Sequence, residues 1–189
     1  ETDFEHQWHL HAGTITLATT SRGPNASSAK VKRIFTSSST PEYANGLPVT
    51  SKARTVVDCG LSVDFRFALP IIDSALRNGV AITDILNVCS TMRRDCTPIF
   101  RLLHYANPAS ENGGESLGRG TIIAGGLLAP ELQQNITDPQ TGALYRVDFL
   151  WRLPENRLIV GEFDGYEKYV NPDMNDRKGV RGAVQAEKE

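Results

Sequence analysis

Hydrophobic and polar residues alternate near both ends of the chain, and in its middle they follow a helical spacing. Alternation is typical of half-buried strands, whereas apolar residues three and four positions apart indicate amphipathic helices. The segments "TITLATT" and "AKVKRIFT" therefore predict two strands, joined by the Gly-, Pro- and Ser-rich stretch "SRGPNASS". We expect these strands to form a short antiparallel pair.

The first predicted helix lies in "LPVTSKARTVVDCG", where Thr50 or Ser51 can serve as its N-cap. Arg54 and Asp58 are four residues apart and can form an ion pair along it. Its predicted apolar face consists of Ala53, Val56, Val57 and Gly60.

The second predicted helix lies in "SVDFRFALPIIDSALRNG", with Ser62 as a cap and Gly79 as its end. Pro70 is expected to kink this helix or to mark its start. Asp73 is expected on its exposed polar face. Two shorter helices are predicted in "AITDILNVCSTM" and "TPIFRLLHYA".

The stretch "NPASENGG" is rich in turn formers and predicts a linker, so we place a domain boundary near Asn107. Residues 1–106 would then hold the β-pair and a small helical bundle, and residues 107–189 a second domain. That domain is predicted to begin with a helix in "ESLGRGTIIAGGLL", followed by strands in "PELQQNIT", "ALYRVDFLW" and "LIVGEFDG". A helix followed by three strands in hairpin order indicates an α/β fold with a helix packed on a mixed sheet.

Composition adds only weak constraints on function. The 189 residues carry a net charge of -2, so a polyanion partner would have to meet a local basic patch. Three cysteines without metal-site spacing favour reduced thiols in a cytoplasmic protein, and Cys89 with Cys96 is better explained by two buried apolar residues than by a redox pair. No membrane span or signal peptide is predicted. Because the chain lacks an initial Met and ends on "AVQAEKE", we expect native sequence beyond both ends.

Acidic residues lie inside two of the predicted strands near the end of the chain. Alternation places Asp148 on one face of its strand with Arg146, and Glu162 on one face of the next run with Asp164. If these runs form a hairpin across "RLPENR", Asp148 and Glu162 become neighbours on adjacent strands. Clustered carboxylates repel unless a cation joins them, and Mg²⁺ is a suitable partner. Such an ion would suit phosphodiester hydrolysis.

Three further residues could complete this site. Lys168 lies four residues after Asp164 and could reach back to it, while Glu115 and Arg119 share a face of the preceding helix. Glu115 could contact the metal or a water, and Arg119 could hold a phosphate. An equally acceptable alternative is that the acids lie on the solvent face of an antiparallel sheet. The glycines flanking "GEFDG" favour a site, because glycine allows a ligand to approach the backbone closely.

The segments "GGESLGR", "YRVDFLW" and "IVGEFDGYEKY" resemble motifs of the very-short-patch-repair-endonuclease-like domain of unknown function, common in actinobacterial proteins and placed in the PD-(D/E)xK nuclease superfamily. The resemblance runs from about Asn107 to the end of the chain. The upstream "LPVTSKARTVVDCG" and "IIDSALRNG" resemble the helical region related to AbiEi-type antitoxins. The resemblance implies a restriction-endonuclease-like mixed sheet flanked by helices, here without its last strand and helix.

The resemblance also implies residue roles. It makes Asp148 the central metal ligand, Glu162 the second acid and Glu115 the helix carboxylate, with the Phe163 carbonyl also directed to the metal.

The chain departs from the superfamily pattern at two positions. Asp164 stands where a nuclease of the standard pattern has Lys, and Val147 stands where it has Pro. Lys168 could take over the orientation of the attacking water.

The leading hypothesis is therefore a DNA endonuclease or nickase that depends on Mg²⁺ or Mn²⁺. A non-enzymatic DNA-binding regulator of the antitoxin type is the alternative, and a structural domain without nucleic acid is a third. An open sheet edge would be available to a second subunit, so a homodimer or a partner toxin is a candidate partner. The candidate phosphate contacts are Arg119, Arg146, Arg177, Lys178 and Arg181, although the last three also fit a solvated basic face.

Overall fold

The structure, a computed structural model, describes residues 14–20, 30–36 and 40–163. The chain divides into two compact units, Glu1–Ala129 and Pro130–Glu189. The first unit contains β1 (Ile15–Thr19), β2 (Val31–Phe35), β3 (Glu42–Ala44), β4 (Leu47–Val49), α1 (Lys52–Gly60), α2 (Phe65–Arg77), α3 (Ile82–Thr91), α4 (Thr97–Tyr105) and α5 (Gly113–Ala124). The second contains β5 (Glu131–Thr137), β6 (Leu144–Arg152) and β7 (Leu158–Gly161). The α/β class is confirmed.

The first two strands pair in parallel, with Ile15 opposite Val31 and Thr19 opposite Phe35. The prediction of an antiparallel pair is therefore wrong. Alternation marks a strand but not its direction, and a long connection frees two strands from the hairpin geometry that a short turn imposes. A true hairpin follows, in which β3 and β4 are joined by Asn45 and Gly46, both with positive φ. Asn-Gly is the preferred pair for such a turn.

Helix α1 begins as predicted, because the Ser51 side chain accepts a hydrogen bond from the Arg54 amide. The Arg54 guanidinium pairs with the Asp58 carboxylate at 2.8 Å, and the pair is buried. Arg54 also donates to the Thr36 hydroxyl at 2.9 Å and to the Phe35 carbonyl at 3.3 Å. The ion pair thus fixes the end of β2 against α1.

Helix α2 differs from the prediction at its start and along its polar face. Its N-cap is Asp64, whereas the Ser62 hydroxyl donates to the Asp58 carbonyl at the end of α1. Pro70 lies inside the helix. Asp73, expected to be exposed, is completely buried. The spacing of apolar residues could not show this, because the partner of Asp73 lies on a distant helix.

All five helices of the described ranges contribute to one apolar core, and the face predicted for α1 belongs to it. The buried members are Ala53, Val56, Val57, Ala68, Leu69, Ile72, Ile85, Cys89, Cys96, Ile99, Leu102 and Ile123. The three cysteines form no disulfide, and burial, together with a side-chain hydrogen bond to Cys96, raises the pKa of the Cys89 thiol to about 12. Within the described residues, no helix is long and apolar enough to cross a membrane.

Helix α5 packs closely on α2 within the first unit. A Cβ atom at Gly120 would lie 3.0 Å from the Arg66 Cα atom and 3.1 Å from its carbonyl oxygen, so glycine permits this approach. The segment before α5 is also held, because the Ser110 carbonyl accepts from Arg77. For these reasons the compact units divide after Ala129, whereas the turn-rich sequence placed a domain boundary near Asn107.

The second unit forms a three-stranded antiparallel sheet in the order β5-β6-β7, with the two hairpins that the alternation predicted. Gly161 lies opposite Phe149, and a Cβ atom there would be 3.3 Å from the Trp151 ring. The glycine of "GEFDG" at this position therefore makes room for aromatic packing. It does so on the face opposite to Asp148, so close approach of a ligand is not needed to explain it.

Candidate active site

Asp148 lies on the central strand of the second unit, half-buried between Val147 and Phe149, which are both buried. Each oxygen of its carboxylate accepts a hydrogen bond. Oδ1 accepts from the Gln133 side-chain amide at 3.2 Å, and Oδ2 accepts from the Phe163 backbone amide at 2.9 Å. Donors on both neighbouring segments therefore fix the orientation of the carboxylate.

Gln133 has an unusual backbone conformation for a strand residue. It occupies the position of β5 opposite Asp148, between the pairs Leu132–Phe149 and Gln134–Val147, and its φ is 53°. Left-handed conformations are unfavourable for residues with a Cβ atom, by about 1–2 kcal/mol. Strained residues are concentrated at functional sites. Sequence reasoning missed Gln133, because alternation carries no signal for a left-handed residue within a strand.

Glu162 is the first residue after β7, and its predicted place beside Asp148 depends on how the β6–β7 register continues. The register pairs Phe149 with Gly161, and its continuation by one residue places Glu162 opposite Asp148. Cross-strand neighbours have Cβ atoms about 4.5–5.5 Å apart, so the two carboxylates are within reach of one cation. Glu162 is exposed. We call Asp148 and Glu162 the acid pair.

The other predicted residues of this unit contribute less to the described site. Arg146 is exposed on β6, on the same face as Asp148. Asp164 and Lys168 lie outside the described residues, as do the tail cations Arg177, Lys178 and Arg181. Among the described residues, no group of three or more His, Cys, Asp or Glu side chains could hold a metal ion. The described site therefore consists of two carboxylates.

Glu115 lies in the first turn of α5 in the first unit, where its side chain forms hydrogen bonds that cap the helix N-terminus. The Asn112 side chain accepts from the Glu115 amide at 2.9 Å. In return the Glu115 carboxylate accepts from the Asn112 side chain at 2.6 Å and from the Glu111 amide at 2.8 Å. This reciprocal arrangement is a capping box. In the structure Glu115 thus stabilises the start of α5, and its contact with a metal stays a prediction.

Arg119, one turn further along α5, forms a buried ion pair with Asp73 of α2. The distance from its guanidinium to Asp73 Oδ2 is 2.5 Å, and both side chains are almost inaccessible. It also donates to the Tyr105 carbonyl, and Asp73 Oδ1 accepts from the Asn107 amide at 2.8 Å. Arg119 therefore joins two helices and a loop, and its predicted contact with phosphate is not supported by this geometry.

Two uncharacterized proteins of Mycobacterium tuberculosis are similar to this chain: Uncharacterized protein MT2308 of strain CDC 1551 / Oshkosh and Uncharacterized protein Rv2248 of strain ATCC 25618 / H37Rv. Each is 33% identical over 145 residues, a match that covers 75% of this chain and 52% of the relative. The chain thus spans about half the length of the curated relatives it matches. No family model and no solved structure matches the chain significantly.

Proposed function

We propose that this chain is a metal-dependent DNA endonuclease or nickase that hydrolyses phosphodiester bonds at the acid pair. The observation that carries the proposal is the β6–β7 register, which pairs Phe149 with Gly161 and, if continued by one residue, puts Glu162 opposite Asp148. The resemblance of "YRVDFLW" and "IVGEFDGYEKY" to nuclease motifs supports it, because the same two acids carry that resemblance.

A hard divalent cation, Mg²⁺ or Mn²⁺, fits this donor set. Such ions are held by one or two carboxylates and complete their coordination with water and substrate phosphate oxygens. Asp148 accepts its hydrogen bonds from uncharged donors, and each carboxylate oxygen has a second lone pair. When bound, the ion would supply stabilisation of the phosphate charge that develops during hydrolysis.

The residues around the acid pair have separate roles in this proposal. Gln133 and the Phe163 amide are positioning groups, since they hold the Asp148 carboxylate in one orientation. Glu162 is exposed, so it can meet a ligand that arrives from solvent. Asp148 and Glu162 would be the ligands of the ion.

Cleavage of supercoiled plasmid tests the proposal. We expect the full chain to nick or linearise the plasmid in the presence of Mg²⁺ or Mn²⁺. EDTA should abolish this cleavage. Asp148→Asn and Glu162→Gln keep the size of each side chain but remove its charge, so the rate should fall by about 100-fold or more. Glu155→Gln, which removes an acid from the β6–β7 turn, is the matched control and should cleave like the wild type. Equal cleavage by all four proteins would refute the proposal.

A non-enzymatic DNA-binding regulator is the second candidate, and the geometry of α5 favours it. Glu115, which the nuclease resemblance implies as the helix carboxylate, is engaged in the cap, and Arg119, which its helical spacing suggested for phosphate, is engaged in the buried ion pair. Asp164, in the position of the usual Lys, agrees with the loss of activity. This candidate predicts DNA binding in EDTA without cleavage in any divalent metal. Metal-dependent cleavage that Asp148→Asn abolishes would exclude it.

A further inference from the structure

A basic groove runs along the first unit, between the end of β2, the α1–α2 connection and the segment that follows α3. Its volume is about 890 Å³. Five cationic side chains and one acidic side chain line it: Lys32, Arg33, Arg54, Arg93, Arg94 and Asp58. The concentration of positive charge contrasts with the net charge of -2 on the whole chain. The groove is thus the local basic patch that a polyanion partner would require.

The floor of the groove is built by hydrogen bonds of the fold. Arg54 is buried there and is neutralised by Asp58. Arg94 donates to the Leu61 carbonyl at 2.6 Å, so its position is fixed while its charge is not neutralised. The other cations of the groove, Lys32, Arg33 and Arg93, lie on β2 and on the segment after α3.

The rim of the groove carries exposed cations whose charges are not compensated by an ion pair in the described part of the chain. Lys32, Arg33 and Arg93 are exposed, and none of their side chains forms a hydrogen bond or an ion pair with another residue in the described part of the chain. With Arg94 they provide four positive charges for a ligand. Phe35 also lines the groove and is 44% exposed, which offers an aromatic face beside the charges.

We propose that this groove binds a single strand of DNA through its phosphodiester backbone. Single-stranded nucleic acids are held by positively charged grooves that follow the backbone and by aromatic side chains on which bases stack. The four uncompensated cations meet the first requirement, and Phe35 meets the second. The inference deepens the proposed function, because it assigns a binding surface for the nucleic acid, but it depends on none of the residues of the acid pair.

Fluorescence anisotropy of a labelled 20-nucleotide single strand, titrated with the full chain in EDTA, tests the groove without cleavage. Four phosphate contacts predict that log K falls with log salt with a slope of about -2.8. Arg33→Gln together with Arg93→Gln should reduce the slope by about 1.4, which corresponds to about 25-fold weaker binding at ~0.1 M salt. Both side chains are exposed, so the double variant is expected to fold.

The matched control is the double variant Arg66→Gln with Arg101→Gln. These arginines stack on the rings of Phe67 and Phe65 outside the groove, and their loss removes the same charge. The control should bind like the wild type. An equal loss of affinity in both double variants, or none in the groove variant, would overturn the proposal. Poly-glutamate that competes as well as unlabelled DNA would assign the groove to acidic polypeptides instead.

The same titration with Asp148→Asn separates this inference from the nuclease. In the Asp148→Asn background the Arg33 and Arg93 substitutions should still weaken binding by about 25-fold, because Asp148 does not line the groove. Binding without cleavage would reject the nuclease and keep the groove. Cleavage that is unaffected by the Arg33 and Arg93 substitutions, with unchanged affinity, would reject the groove and keep the nuclease.

Discussion

Two hydrogen-bond donors orient the Asp148 carboxylate, the Phe163 backbone amide and the Gln133 side-chain amide. Phe163 lies two residues after the end of β7, and its amide donates to Asp148 Oδ2. Gln133 leaves the extended conformation in the middle of β5, and its side chain donates to Oδ1. Orienting partners of this kind fix the geometry of a ligand before a metal or substrate arrives. Hydrogen bonds to both of its oxygens therefore fix the orientation of the Asp148 carboxylate.

Substitution of Gln133 tests whether its left-handed backbone exists in solution. In an ordinary strand, valine is more stabilising than glycine by roughly 1 kcal/mol. At a position with φ of 53° the order should reverse, since glycine adopts this φ freely and a β-branched residue does not. We expect Gln133→Val to be less stable than Gln133→Gly by about 1–2 kcal/mol in urea unfolding of the full chain. A more stable Val variant would contradict the structure at this residue.

Residue-scale features were the hardest to predict from sequence. The neighbourhood of Asp148 and Glu162 follows from alternation and from a short turn, which together set the register. The burial of Asp73 does not follow, because its partner Arg119 is 46 residues away and no local pattern joins them. Glu115 has a local explanation in "ENGGE", where Asn and Glu three residues apart are typical of a capping box.

At the scale of elements, α2 and α5 are joined by a close backbone approach at Gly120 and by the Asp73–Arg119 ion pair. Removal of one partner of a buried ion pair costs more free energy of folding than replacement of both partners by apolar residues, because it leaves a buried charge without compensation. This contact explains why α5 belongs to the first unit, although its sequence resembles the start of a nuclease domain.

Removal of one partner of this pair should destabilise the first unit strongly. We expect Asp73→Ala to lower the free energy of unfolding by about 3–5 kcal/mol, because Arg119 then remains buried and charged. The double variant Asp73→Leu with Arg119→Leu should recover a large part of that loss. The helical circular dichroism signal during urea unfolding measures this unit, since all described helices lie in it.

Asp84→Asn serves as the control for this pair. Asp84 is an exposed acid in the first turn of α3, so its neutralisation should cost no more than about 1 kcal/mol. If Asp73→Ala were no more destabilising than Asp84→Asn, the buried pair would not exist as described.

Element boundaries and pairings were predictable to different degrees. The helices agree with the periodicity, because their apolar faces form one core, and the β5–β7 sheet has the predicted hairpin order. The direction of β2 relative to β1 was not predictable from alternation, and the parallel pairing depends on how both strands pack. Pro70 inside α2 shows that tertiary contacts can hold a helix across a residue that disfavours it.

At the scale of the whole molecule, charge is distributed unevenly along the two units. The cations of the groove come from β2, α1 and the segment after α3, which are far apart in sequence. The groove could therefore not be predicted from a run of basic residues. The acid pair belongs to the second unit. In our proposals, the groove of the first unit binds phosphates and the acid pair of the second promotes hydrolysis.

The central claim is that Asp148 and Glu162 together bind a divalent cation. Anomalous diffraction from crystals of the full chain soaked in Mn²⁺ tests it most directly. We expect an anomalous peak bound by both carboxylates, which is absent from crystals of the Glu162→Gln variant under the same soak. Mn²⁺ bound elsewhere, or no peak at the acid pair in saturating Mn²⁺, would contradict it.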